Sequence, residues 1–121
     1  MEYMRIVGDD EGVTRFEDTQ FATKSADYAP PAPPIDVSGH TTATGMLVLR
    51  FPIGWSSDWH PAPKRQWMII VSGRFEIEVS DGEKRTLGAG AMALLDEADS
   101  KGHKFRLVSD QPGSVLVVET E

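Results

Sequence analysis

From Gln66 onward the chain carries an unbroken apolar run, Trp67-Met68-Ile69-Ile70-Val71, breaks at Ser72-Gly73, then alternates Phe75, Ile77 and Val79 with Arg74, Glu76 and Glu78. The run reads as an apolar strand, and the strict alternation predicts a second strand buried on one face. Ser80-Asp81-Gly82-Glu83 comes next. Asp-Gly is a two-residue hairpin signal, because glycine accepts positive φ without steric cost and aspartate tolerates it, so Glu83 to Leu87 is expected to return antiparallel. The chain turns again at Leu87-Gly88-Ala89-Gly90, Ala91 to Leu95 forms a buried run, Gly102 to Val108 alternates, and Val115 to Glu119 closes the series. Upstream, Gly45 to Phe51 predicts a strand and Val13 to Phe21 a more weakly marked one. There is no internal repeat and no long helical period. Short β-rich runs separated by Gly, Pro, Asp and Ser predict an all-β sandwich or barrel.

One segment stands outside this pattern. In Ala29-Pro30-Pro31-Ala32-Pro33-Pro34 each proline fixes φ and removes a donor, so the backbone is extended in the manner of polyproline II. It reads either as a ligand for a proline-binding domain or as a stiff arm leading into the barrel or lying across it.

Composition narrows the function. The chain has 121 residues, enough for one domain with a real core. It has no cysteine, which removes disulfide frameworks, thiolate metal sites and cysteine nucleophiles. The net charge of −7 repels phosphate backbones and anionic membrane surfaces, so neither nucleic acid nor a membrane is an expected partner. No segment approaches the roughly 20 apolar residues of a membrane span, and Met1 to Gly12 lacks a basic region followed by an apolar run, so a cytoplasmic protein is expected. There is no nucleophile elbow and no phosphate-cradling loop opening a helix.

The remaining chemistry centres on two of the three histidines. His60 lies just before the apolar strand, and His103 opens the strand Gly102 to Val108. By strand parity His103 shares a face with Phe105 and Leu107, and Gln66 shares one with Met68 and Ile70. A buried imidazole or amide costs a few kcal/mol if unpartnered, so each must meet another polar group, water, metal or ligand. Convergence on one pocket would satisfy both.

These residues resemble the cupin superfamily of small antiparallel β-barrels. Gly54 and His60 stand at the separation of its first motif (Gly, five residues, His-x-His, three or four residues, Glu, six residues, Gly), as do Gln66 and Gly73. The second motif histidine falls on Ala62 and the motif glutamate on Gln66. His103 resembles the histidine of the second motif, although Ala98 and Ser100 stand where Pro-x-Gly is usual. The resemblance spans Gly45 to Val118. It implies an all-β, single cupin-type antiparallel barrel (jelly roll, or double-stranded β-helix) formed by residues 45–121, with 1–44 supplying N-terminal strands and the Pro-rich arm packed on that barrel.

The resemblance also implies a metal site, which carried over gives His60, Gln66 and His103. Two neutral imidazoles and an amide supply no negative charge. Such a set would hold a divalent ion weakly and favour zinc, nickel or copper over iron or manganese. Asp58, two residues before His60, could supply the missing carboxylate, or could be an exposed turn residue.

His60 and His103 are also candidates for general acid/base catalysis. Further pocket candidates are Arg50, whose guanidinium suits a carboxylate if it points inward, Trp55, Met68 and Phe105. Trp59 and Trp67 could join the rim or the core, Lys64-Arg65 could draw an anion to the mouth, and His40 is expected to be exposed. Two functional readings follow: a small-molecule enzyme of isomerase, lyase or oxygenase type, and a non-catalytic binding or sensing module that has lost its metal. A homodimer is expected, from an open β-edge near the N-terminus.

Overall fold

The computed structural model describes all 121 residues and contains eleven strands and no helix. They are β1 (Glu2–Gly8), β2 (Thr14–Gln20), β3 (Thr23–Ala26), β4 (Ile35–Ser38), β5 (Gly45–Phe51), β6 (Gln66–Ser72), β7 (Phe75–Val79), β8 (Lys84–Leu87), β9 (Met92–Asp96), β10 (His103–Leu107) and β11 (Gly113–Glu119). No helix is long and apolar enough to cross a membrane.

Two sheets face each other around one core. The larger has the order β2-β1-β9-β6-β11-β5 and the smaller β10-β7-β8. Alternation along each strand supplies the core: Phe75, Ile77 and Val79 from β7, Phe105 and Leu107 from β10, Met68 and Ile70 from β6, Val115 and Val117 from β11, and Ala93 and Leu95 from β9 are all buried. Phe75 and Phe105 stack with centroids 4.7 Å apart, and Phe51 meets both edge-on.

The all-β expectation holds, and the strands anticipated from Gly45 onward are present within a residue or two of their expected ends. Three features differ. The hairpin β7–β8 uses a three-residue loop: Gly82 N–H donates to Val79 O, Val79 N–H donates to Glu83 O, and only Gly82 takes positive φ, at 101°. Asp81 therefore never enters the left-handed region; its Oδ1 instead accepts from Glu83 N–H. This is a turn closed by a glycine bulge, the next most common hairpin solution after the two-residue loop.

The second difference is β1, an additional strand that pairs antiparallel with β2 and parallel with β9, so the sheet is not wholly antiparallel. β1 and β2 thereby extend the main sheet. Thr14, fully buried, ties them to the smaller sheet: its N–H donates to Ser80 Oγ, its Oγ1 accepts from Ser80 N–H and donates to Gly102 O, and its carbonyl accepts from Asp81 N–H. Arg85 of β8 adds a bidentate contact to Asp18 of β2 while its guanidinium lies 4.4 Å from the Phe16 ring centroid.

The third is the Pro-rich segment, expected to lie on the barrel. It forms instead the turn of a separate two-stranded ribbon, β3–β4, in which every residue from Ala22 to Asp36 is exposed. Prolines cannot donate to a ladder and so collect at the turn.

The open edges of the main sheet are β2 and β5. β2, the N-terminal edge, carries Arg15, Glu17 and Asp18, of which Glu17 pairs with Arg5 and Arg15, and Asp18 with Arg85.

Candidate functional site

His60 and His103 face each other across an isolated antiparallel bridge: His60 N–H donates to His103 O at 3.1 Å and His103 N–H to His60 O at 3.0 Å. Opposed residues in an antiparallel pair project to one face. The two rings accordingly stand side by side, centroids 4.7 Å apart and planes tilted by 54°. Gly102 makes the approach feasible. Its φ is +77°, and a Cβ there would overlap the carbonyl of His60.

Each ring is anchored through Nδ1. His60 Nδ1 donates to Asp58 O at 2.9 Å. His103 Nδ1 donates to Glu97 Oε1 at 2.5 Å, a buried contact in which the Glu97 side chain has no exposed surface. Ser100 Oγ donates to Glu97 O and accepts from Gly102 N–H, and so holds this loop to the strand that carries His103. With the proton on Nδ1, Nε2 of each ring is an acceptor. No buried side-chain nitrogen or oxygen lacks a partner, so His103 Nε2, which meets nothing in the protein, is reached from the cavity.

The cavity has a volume of about 600 Å³ and lies between β5, β6, β10 and β11, with both histidines in its wall. That volume falls in the usual range for small-molecule sites. Phe51, Trp55, Met68, Leu95, Phe105 and Val117 are among its apolar lining, and Gln66, Glu119, His60 and His103, with Arg50 at the β5 border, are its polar groups. Glu119 is paired with Lys64 Nζ at 3.3 Å. A larger, more open depression of about 700 Å³ over Glu2, Asp18 and Met92 holds no histidine.

The structure brings His60, His103, Gln66, Met68, Phe105 and Trp55 together around this cavity. Arg50 borders the cavity along β5, but its side chain shares a face with the exposed Met46 and Val48 and its guanidinium donates to Ser114 Oγ on the outside of the sheet. Asp58 is absent from the lining, because its Oδ1 accepts from Trp59 N–H; it serves the site through its carbonyl alone. Trp67 is buried on the outer face against Tyr3 and Phe21. Trp59 is 40% exposed beneath the Lys104 ammonium. Arg65 is engaged with Asp96 and Glu121 O, and His40 is exposed.

Sequence reasoning missed Glu97. It falls one residue beyond β9, in the parity of the buried Ala93 and Leu95, and that inward parity was the available signal.

The donor set does not complete the metal site that the resemblance implies. His60 and His103 are neighbours, yet no third His, Cys, Asp or Glu stands with them as a ligand group. Glu97 is occupied on Nδ1 of His103, Glu119 by Lys64, and the position of the second motif histidine is the buried Ala62. Two imidazoles and an amide do not fit a resident hard cation.

Residues 47–119 match the family model described as Cupin domain. No curated protein matches the chain. Among solved structures, a Cupin 2 conserved barrel domain protein from Salinispora arenicola aligns with 20% identity and TM-score 0.54 over 84% of this chain and 76% of that one. A sugar phosphate isomerase from a cupin superfamily, from Silicibacter pomeroyi, aligns with 23% identity and TM-score 0.54 over 66% of this chain and 52% of that one. The Cnp3 cupin domain of Schizosaccharomyces pombe aligns with 10% identity and TM-score 0.53 over 89% and 73%.

Proposed function

The chain belongs to the cupin family, and on that footing we propose that its cavity binds a small organic molecule and that His103 and His60 move a proton on it without a resident metal. The observation that carries this reading is the pair of imidazoles on one face, each with Nδ1 anchored and Nε2 available. In such a site a ligand proton made acidic by a neighbouring carbonyl passes to His103 Nε2. Glu97, already bonded to Nδ1, faces the positive charge this creates and keeps the ring aligned. His60 Nε2, the second acceptor on the same face, its ring 4.7 Å from that of His103, takes a hydrogen bond from a ligand hydroxyl, and the proton held on His103 Nε2 is then returned to an adjacent ligand atom. The net change is an isomerisation or an elimination, which is redox-neutral.

The lining favours a ligand with an apolar or planar body, seated against Trp55, Phe51 and Phe105, and a carbonyl or hydroxyl head near Gln66 and the histidines. A phosphate group is not favoured, since Arg50 is turned outward and Lys64 is held by Glu119.

A second reading, a ligand-binding or sensing cupin without turnover, is supported by Ala62 and Gln66 standing where the family places ligating groups. One experiment separates the two. Small keto and hydroxy acids are screened by ligand-observed NMR in D₂O, using tryptophan fluorescence as a second signal. Catalysis predicts deuterium entering a bound ligand with wild type and not with His103→Ala. Binding without exchange, unaffected by His103→Ala, supports the sensor. Elemental analysis of untagged protein and metal titration of both histidine variants test the metal-free premise, and stoichiometric metal lost in His103→Ala would overturn it.

A further inference from the structure

On its cavity side the larger sheet ends in one polar row. Strand register sets Gly45 of β5, Glu119 of β11 and Gln66 of β6 directly opposite one another. Glu119 has the parity of the buried Val115 and Val117, and Gln66 that of Met68 and Ile70, so both side chains face the cavity that they line. Two residues along, the row Leu47, Val117 and Met68 is wholly apolar. Phe51, which packs on Trp55 and Phe105, lies at the opposite end of β5 from Gly45. The cavity therefore has a polar end and an aromatic end.

Glu119 is the one carboxylate in the lining. Its Oε2 meets the exposed Lys64 ammonium at 3.3 Å, which offsets its charge. Its Oε1 meets no donor and lies over Gly45, where a Cβ would stand 2.9 Å from it; the missing side chain keeps that oxygen open. The Gln66 amide also lacks a partner in the protein, and since no buried polar atom is left unsatisfied, both groups are reached from the cavity. An acceptor on β11 thus stands beside a donor on β6, at the separation of opposed side chains in a sheet. No cation is free to receive an anion: Lys64 is held by Glu119, and the Arg50 guanidinium by Ser114 outside the sheet.

We infer that this pair selects a neutral α-hydroxy ketone, with Gln66 donating to its carbonyl and Glu119 Oε1 accepting from its hydroxyl, and that it rejects a carboxylate at the hydroxyl's place. The inference rests on the cavity being a small-molecule site. It adds Glu119, through direct contact with the ligand, as the residue that sets specificity. The hydrogen on the carbon between hydroxyl and carbonyl is the acidic one that the histidines require. The body of the ligand extends over Val117 and Met68 toward Phe51 and Phe105.

The test titrates the ¹⁵N-labelled full chain with aromatic ketones that differ only in the group next to the carbonyl. They are α-hydroxyacetophenone, acetophenone, protonated α-aminoacetophenone and phenylglyoxylate. Shifts of the Gln66, His103 and Val117 amides locate each probe in the cavity. The hydroxyl probe is expected to bind at least about tenfold more tightly than acetophenone, with phenylglyoxylate the weakest. Glu119→Met removes the acceptor, and Gly45→Ala crowds only the end of that flexible side chain. Each is expected to abolish most of the hydroxyl advantage while leaving acetophenone binding unchanged. Lys64→Met, which uncovers the carboxylate charge, is expected to move the preference to the ammonium probe. Equal binding of the hydroxyl probe and acetophenone in the cavity overturns the inference and leaves the cavity reading standing. So does a hydroxyl advantage that survives both Glu119→Met and Gly45→Ala. Cavity amides that respond to none of the probes overturn both.

Discussion

Replacing Gly102 by alanine tests the architecture of the site most directly. Gly102 has φ of +77°, a conformation that costs an L-residue about 1–2 kcal/mol. A methyl group there also overlaps the His60 carbonyl, so the bridge must open. Opening it removes the two backbone hydrogen bonds between His60 and His103, worth about 0.5–1.5 kcal/mol each. The sum is about 2–5 kcal/mol, a large part of the roughly 5–15 kcal/mol that stabilises a typical domain. Gly82→Ala is the internal control: φ there is +101°, but nothing lies within 4 Å of the added Cβ, so it reports conformational cost alone. Urea unfolding of both variants beside wild type gives the two values, with the slope checked for two-state behaviour. The steric argument requires Gly102→Ala to be the more destabilising by about 1–3 kcal/mol. Equal losses would mean that the His60–His103 bridge does not depend on the missing side chain.

Long-range ¹⁵N–¹H correlation at alkaline pH should find the proton on Nδ1 in both His60 and His103, with Glu97→Gln disturbing His103 alone; an Nε2–H tautomer in the wild type would contradict the assigned hydrogen bonds. Thr14→Val removes a buried hydroxyl that serves Ser80 and Gly102, and thermal unfolding should show a loss of about 2–3 kcal/mol, against a fraction of that if water replaces the hydroxyl. Asp18 is held below the usual carboxylate range by its hydrogen bond from Arg85. A depressed folded-state value stabilises above the unfolded value near 3.8 and loses that contribution as pH falls through the folded value. Asp18→Asn should therefore flatten the acid limb of stability below about pH 4, and coincident wild-type and variant limbs from pH 2 to 7 would refute the link.

β7 and β10 were legible because one face of each meets the core and the other carries charge toward water, so alternation survives, whereas β5, β6, β9 and β11 were legible as short apolar runs bounded by turn residues. β1 was not. Tyr3 on its outer face packs on Phe21 and Trp67 while Ile6 on its inner face is fully buried, so both faces carry apolar residues and the period disappears. β3 and β4 bury almost nothing and so leave no hydrophobic signature. His60 and His103 were visible through motif spacing, and the cavity around Gln66, Met68 and Phe105 through parity. Glu97 was hidden because an acid in Asp96-Glu97-Ala98-Asp99 looks like any solvated loop, and its burial depends on Ser100 folding the loop back. Arg50 could not be assigned a side because β5 is an edge strand whose outer positions are themselves apolar, so the contrast that parity relies on is absent.

The position of β11 sets the timing of site assembly. It is the last strand in chain order, yet it lies between β5 and β6 and pairs with both. During synthesis β5 and β6 emerge with a gap between them that only the sequence from Gly113 onward can fill, so the cavity wall at Val117 and Glu119 is absent until then. A nascent chain with both histidines already translated has no pocket. Such long-range closure is slow; until it occurs, two apolar strand edges stand open to chaperones or to other chains.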